Sequence, residues 1–406
     1  MDDRNDIHSA EMEIESVDGD RVSELEAAHD YREQQQQRFG TDDLSRFENL
    51  DEKFDEALAF IRLQFPGVEL PGLECDLRAT YDRVVGEHEE PISQASMESA
   101  CQVVEDIVKK LGFPMHSGVS YGVLHGDGLE AMQQSLMMTK ASVILMTAHL
   151  QTAIHRLAKL VARSLPFGGA GDEKYVVWNF ENIKSLILRD EQLQKDWAFF
   201  LMDYSLDPYS PAIGRAIPIE GHDQMMLMGD LSEAMSWFVL AHEYGHHIMR
   251  HSLDGQCGAE GEDAVVAQRK EIEADSIATH ICLALGEHNA RGLNYSAFLN
   301  LGSVLVLSAL DCFKRGRKLM LVGTDEGYRT DSTHPPLEQR LKTIAAVTRE
   351  LYLMECGKED EHLIEMLRIQ GTAHELIEFI WSESRAWMLR EYTIDGVRGV
   401  PERHQY

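Results

Sequence analysis

In His242-Glu243-Tyr244-Gly245-His246 two imidazoles stand four residues apart with a carboxylate between them. A helix rises ~1.5 Å per residue, so side chains at i and i+4 lie ~6 Å apart on one face. Two imidazoles so placed can both reach one zinc ion at ~2.0–2.1 Å. Glu243 is one step round the helix, beside such an ion rather than on it. A carboxylate in that place can take the proton of an activated water as a general base. The five residues alone are a weak signal. Their setting strengthens it, because Met235, Phe238 and Val239 lead into the histidines on one face, and Gly245 lets a second backbone come close.

A metal site with one open position needs a third protein ligand. Glu271-Ile272-Glu273-Ala274-Asp275 offers it. Glu271 and Asp275 share a helix face with Ala278 and Cys282, whereas Glu273 points elsewhere. Glu271 is assigned as the third ligand. Asp275 is placed behind a ligand histidine, accepting its Nδ1–H and so fixing the tautomer. Ala274 and Ala278 are small enough for the two helices to pack closely.

Two helices must carry these groups. Asp230-Leu231-Ser232-Glu233 reads as a capping box opening the first, which runs to about Arg250 or His251 and stops near Asp254-Gly255. Asp263 is a candidate cap for the second, which ends at Gly286. His247 and His251 fall off the ligand face or beyond its register, His280 lies on the far side of its helix, and His222 precedes the first helix. Cys257, in a glycine-flanked loop, reads as an ordinary thiol.

His-Glu-x-x-His followed by Glu-x-x-Ala-Asp is the gluzincin pattern, and the local text resembles the family of HtpX and the CAAX prenyl proteases. Ser332-Thr333-His334-Pro335-Pro336, with Arg340 after it, is similar to a Thr-His-Pro segment of that family. The resemblance implies zinc held by His242, His246 and Glu271, Glu243 as catalytic base, and His334 as a second catalytic group that binds substrate or stabilises an oxyanion. A proline-rich turn is the alternative for His334. Many members of that family are membrane proteins. Lit-like phage-exclusion peptidases are a soluble second comparison, on the shared motif. In zincins an edge strand aligns the substrate, and residues 174–180 are the best candidate here.

The rest of the chain bounds these expectations. Its formal charge of −31 over 406 residues disfavours nucleic acid as a partner. Six scattered cysteines without a CxxC pair, and an acidic start without an apolar stretch, point to a reducing, cytoplasmic setting. The most apolar stretch, 297–313, holds Asn300, Ser303, Ser308 and Asp311 and reads as a buried helix, so no integral membrane span is expected. Lys314-Arg315-Gly316-Arg317-Lys318 is read as following that helix.

The fold class expected is α+β and mainly helical: a zincin-like metallopeptidase domain with a small sheet, preceded by a helical N-terminal region. The parts are an acidic flexible segment at 1–45, helices at 46–165 including a long one over 141–162, the metallopeptidase domain at 172–350, and a helical segment at 351–406. Tyr175 to Phe180 reads as a strand, and 212–219 as a second extended segment. The function expected is zinc-dependent hydrolysis of peptide bonds in a protein or peptide substrate. A latent, narrow-specificity defence or toxin peptidase and a non-catalytic zinc-tied scaffold are the alternatives.

Overall fold

The computed structural model describes residues 22–38, 50–66, 69–82, 91–125, 128–169, 174–206, 216–252, 263–288, 294–327 and 334–395. It is an α+β protein, mainly helical, with a small mixed sheet. Helix α1 covers 22–38. Then come α2 (Leu50–Gln64), α3 (Leu73–Tyr81) and α4 (Pro91–Lys110), followed by β1 (Val119–Leu124), β2 (Ala131–Ser135) and β3 (Ser142–Thr147). After α5 (Ala148–Ser164), the short strands β4 (Phe167–Gly168) and β5 (Tyr175–Val176) form a separate pair. Helices complete the chain: α6 (Phe180–Arg189), α7 (Glu191–Leu206), α8 (His222–Met249), α9 (Ala264–His288), α10 (Tyr295–Phe298), α11 (Leu301–Val322), α12 (Leu337–Cys356) and α13 (Glu361–Asp395).

The three-stranded sheet falls where helix was expected. Its order is β1-β3-β2, with β3 parallel to β1 and antiparallel to β2. Every residue of β3 is buried. Val143 and Leu145 face a small core shared with Ala28 of α1, while Ile144 and Met146 face the main core. A strand covered on both faces is apolar throughout, and such a run cannot be told from a buried helix by its periodicity. The expected helix over 141–162 is therefore a strand and a helix, divided where the Thr147 side chain accepts the Leu150 N–H as N-cap. The Gln34–Gln37 run lies in α1, where Gln36 Nε2 donates to the Val123 carbonyl. Residues 1–21 and 39–45 lie outside the described residues.

Three other local expectations change. β5 is two residues long, because Asn179 turns the chain into α6 by capping Asn182 N–H. Helix α8 begins at His222 rather than near Asp230. Asp223 suits the dipole of its first turn, and Met225, Met226 and Met228 keep the chain helical up to the motif. The basic run 314–318 lies inside α11, which continues until Gly323 adopts φ 82° as C-cap. Residues 297–313 are buried in α10 and α11 as expected. Among the described residues, no helix is long and apolar enough to cross a membrane.

Helix α8 is the axis of the main core. It is buried almost continuously from Leu231 to Ile248 and packs against α4, α5, α9, α10, α11 and β2. A helix that is apolar on all sides belongs in such a place. Leu376, Ile377, Ile380 and Trp381 of α13 join the same core.

Candidate metal centre

Helices α8 and α9 approach so closely that a Cβ on Gly245 would stand 2.9 Å from Ala274 Cα and 3.0 Å from the Ala274 carbonyl oxygen. The glycine within one motif and the alanine within the other set the separation of the two helices. His242 and His246 on α8 then face Glu271 on α9, and all three are buried. His242 Nε2 and His246 Nε2 are 3.2 Å apart. Each lies 3.3 Å from a Glu271 oxygen, His242 from Oε2 and His246 from Oε1.

The groups behind the histidines settle where their protons are. His242 Nδ1–H donates to Asp275 Oδ1 at 3.0 Å. The same carboxylate accepts two bonds from Arg340, at 2.6 and 2.7 Å. Burial works against charge on Asp275, but Arg340 and His242 outweigh it and hold its pKa below the usual value. His246 is oriented by residues the sequence reading set aside. His251 Nε2–H donates to Glu273 Oε2 at 3.0 Å, which leaves His251 Nδ1 as an acceptor for His246 Nδ1–H, also at 3.0 Å. Burial, with help from His246, pushes the His251 pKa down to about 4, so it serves this chain neutral. His251 reaches back because Arg250 takes a left-handed φ of 58° and ends α8. Lys270 Nζ holds that turn through the His251 carbonyl at 2.8 Å.

Both Nε2 atoms thus present lone pairs to each other and to a carboxylate. Glu271 Oε2 is buried and accepts no hydrogen bond. A proton shared at His242 would relieve one of the three contacts. Burial disfavours that imidazolium, yet Asp275 and Glu271 raise the His242 pKa to about 10. A divalent cation satisfies all three contacts and displaces that proton. A tetrahedral ion with ~2.0–2.1 Å bonds holds its ligands about 3.3 Å apart. That is the spacing of these donors, so the residues fit such an ion.

Glu243 is not among the donors. It is buried at 7% exposure, and burial raises its pKa against the pull of His242 and His246. The Gln133 backbone on β2 faces its carboxylate and, as a smaller influence, favours the charged form. β2 packs against the motif helix. Its side chains add a directed network: Gln133 Nε2 donates to Ser142 Oγ at 2.6 Å, Ser142 Oγ to His247 Nδ1 at 2.7 Å, and His247 Nε2–H to the Met115 carbonyl at 3.0 Å. His247 is a buried tie between sheet and helix, which agrees with a packing role.

His334 lies on the open side. Its Nε2 is 3.6 Å from Glu271 Oε2, and its side chain is 49% exposed. Ser332, Thr333 and Cys257 lie outside the described residues. His280 packs edge-on against Phe113, and His222 begins α8, so neither joins the centre. Sequence reasoning missed His251, Glu273 and Gln133. A histidine five residues beyond His246 and an extra carboxylate in the second motif were the only signals for the first two.

No curated protein and no solved structure matches the chain. Residues 171–351, which carry His242, His246, Glu271 and the groups behind them but not the three-stranded sheet, match the model of the Peptidase U49 family, so this part of the chain is similar to a family of peptidases.

Proposed function

We propose that the protein is a zinc-dependent endopeptidase. The observation that carries this is the convergence of two imidazole lone pairs and one buried carboxylate, spaced 3.2–3.3 Å apart, beside a buried carboxylate that is not one of them. His242, His246 and Glu271 would hold the zinc, which when bound supplies Lewis acidity to the scissile carbonyl and the attacking water. Glu243 takes the proton of that water and returns it to the leaving amine. Its raised pKa brings it closer to neutrality, where an acid–base group serves both steps.

The substrate strand aligns along the outer edge of β2. Thr147 N–H pairs with the Glu130 carbonyl and Leu136 N–H with the Ala141 carbonyl, so Ala131, Gln133 and Ser135 turn their backbone groups away from β3. The backbone groups on that edge suit an extended peptide. This replaces the expectation for 174–180, of which only Tyr175 and Val176 are strand, already paired with β4. His334, on the open side, binds substrate or meets the developing oxyanion.

A scaffold in which zinc only ties two helices has no use for the buried, non-ligating Glu243. Five described cysteines are free thiols, which suits a reducing, cytoplasmic setting. The match to Peptidase U49 supports the peptidase reading and, of the two resemblances, favours the Lit-like one over HtpX and the CAAX proteases. The test is proteolysis of unfolded proteins by zinc-loaded wild type and Glu243→Gln. Cleavage by the first alone supports the proposal. Cleavage only after adding a cell extract identifies the latent form of the same chemistry, and equal cleavage by both refutes the role of Glu243.

A further inference from the structure

A cavity of about 1280 Å³ opens beside the centre, bounded by His334 and Pro336, by Lys314 of α11 and by His374 of α13. It meets the metal donors through His334, 3.6 Å from Glu271. Its size exceeds the ~300–1,000 Å³ common for small-molecule sites and suits a length of peptide.

Most charges on its wall are already matched. Arg315 pairs with Glu378 and Asp311, Lys342 with Glu338, and Asp325 with Arg385. Lys318 Nζ donates to the Glu326 carbonyl. Lys314 differs. It lines the cavity, is exposed to it, and makes no hydrogen bond or ion pair with the described residues. Partial burial and then Arg340 hold its pKa below the usual value, against the opposing pull of Asp311 and Glu271. Its ammonium faces the cavity with no direct ion pair among the described residues, on the side that carries His334.

Resting on the peptidase reading, we propose that this cavity receives the substrate chain on one side of the scissile bond and that Lys314 pairs there with a substrate carboxylate. The carboxylate is either an Asp or Glu side chain or a free C-terminus. A partly enclosed pair of this kind gives local discrimination, while the acidic protein as a whole repels acidic peptides and keeps background binding low.

The test is binding of short fluorescein-labelled random peptide pools to zinc-loaded, full-length Glu243→Gln, read by anisotropy. One pool is rich in Asp and Glu, the other carries Asn and Gln in their place, and each is made with free and amidated C-termini. Carboxylate-bearing pools are expected to bind about tenfold more tightly. Adding Lys314→Met should remove that preference, and Lys342→Met should leave it. Loss on amidation assigns the carboxylate to the C-terminus; loss on Glu-to-Gln exchange assigns it to a side chain. Equal binding of all pools, no binding, or a preference that survives Lys314→Met overturns the proposal. Cleavage is read separately with wild type. A Lys314-dependent preference without cleavage, even after a cell extract is added, refutes the peptidase reading alone, and cleavage without the preference refutes the subsite alone.

Discussion

Replacing His251 by Phe tests the orientation of His246 most sharply. The substitution keeps a flat ring in a site that is 6% exposed but removes the Nδ1 acceptor, so His246 Nδ1–H is buried without a partner. Such a donor costs ~1–3 kcal/mol, and in the zinc-bound state it frees the ring to turn or change tautomer. Loss of a group behind a metal ligand typically weakens metal binding 10–100-fold, about 1.4–2.7 kcal/mol. Glu273→Gln is the graded control. The amide oxygen can still accept His251 Nε2–H, and Glu273 is 32% exposed, so its charge is already screened. At most about a fivefold loss is expected there. Competition with a chromophoric zinc chelator near neutral pH reads both affinities. Wild-type affinity in His251→Phe, or a larger loss in Glu273→Gln than in His251→Phe, would refute the reasoning.

Further outcomes follow from the same geometry. Glu243→Gln should keep zinc and the thermal midpoint while proteolysis falls by at least ~10²-fold, measured on one unfolded substrate. Gly245→Val drives a side chain into the Ala274 backbone; it should lower stability by ~1–3 kcal/mol in urea unfolding and weaken zinc binding as α8 and α9 separate. Asp275→Ala leaves the largely enclosed Arg340 without its carboxylate, a loss of ~3–5 kcal/mol in the zinc-free protein. Lys159 is 2% exposed, and burial followed by Arg156 brings its pKa to about 8 against an ordinary value of 10.5. The unfolded chain binds the extra proton between those values, so stability rises with pH there. Wild type should gain up to ~3 kcal/mol relative to Lys159→Met between about pH 8 and pH 10.5; parallel unfolding curves across that range would contradict this.

The donors were legible because each motif lies on one continuous helix. His242 and His246, and Glu271 and Asp275, keep their i, i+4 relation whatever surrounds them. Gly245 and Ala274 even foretold the close approach of the two helices. His251 was not legible, because helical phase places it away from His246 and only the left-handed turn at Arg250 brings it back. Glu273 does point away from the metal, as its phase requires, and meets His251 there. Gln133 is 110 residues before Glu243 on a strand whose spacing announces nothing, and β3 hid its sheet by being buried on both faces.

Zinc content of full-length protein purified without chelator tests the central claim most directly. About one zinc per chain is expected in wild type and in Glu243→Gln, with near-complete loss in His246→Ala and Glu271→Ala. Zinc-free wild type, or a full complement of zinc in Glu271→Ala, would contradict a centre built from two imidazoles of α8 and one carboxylate of α9.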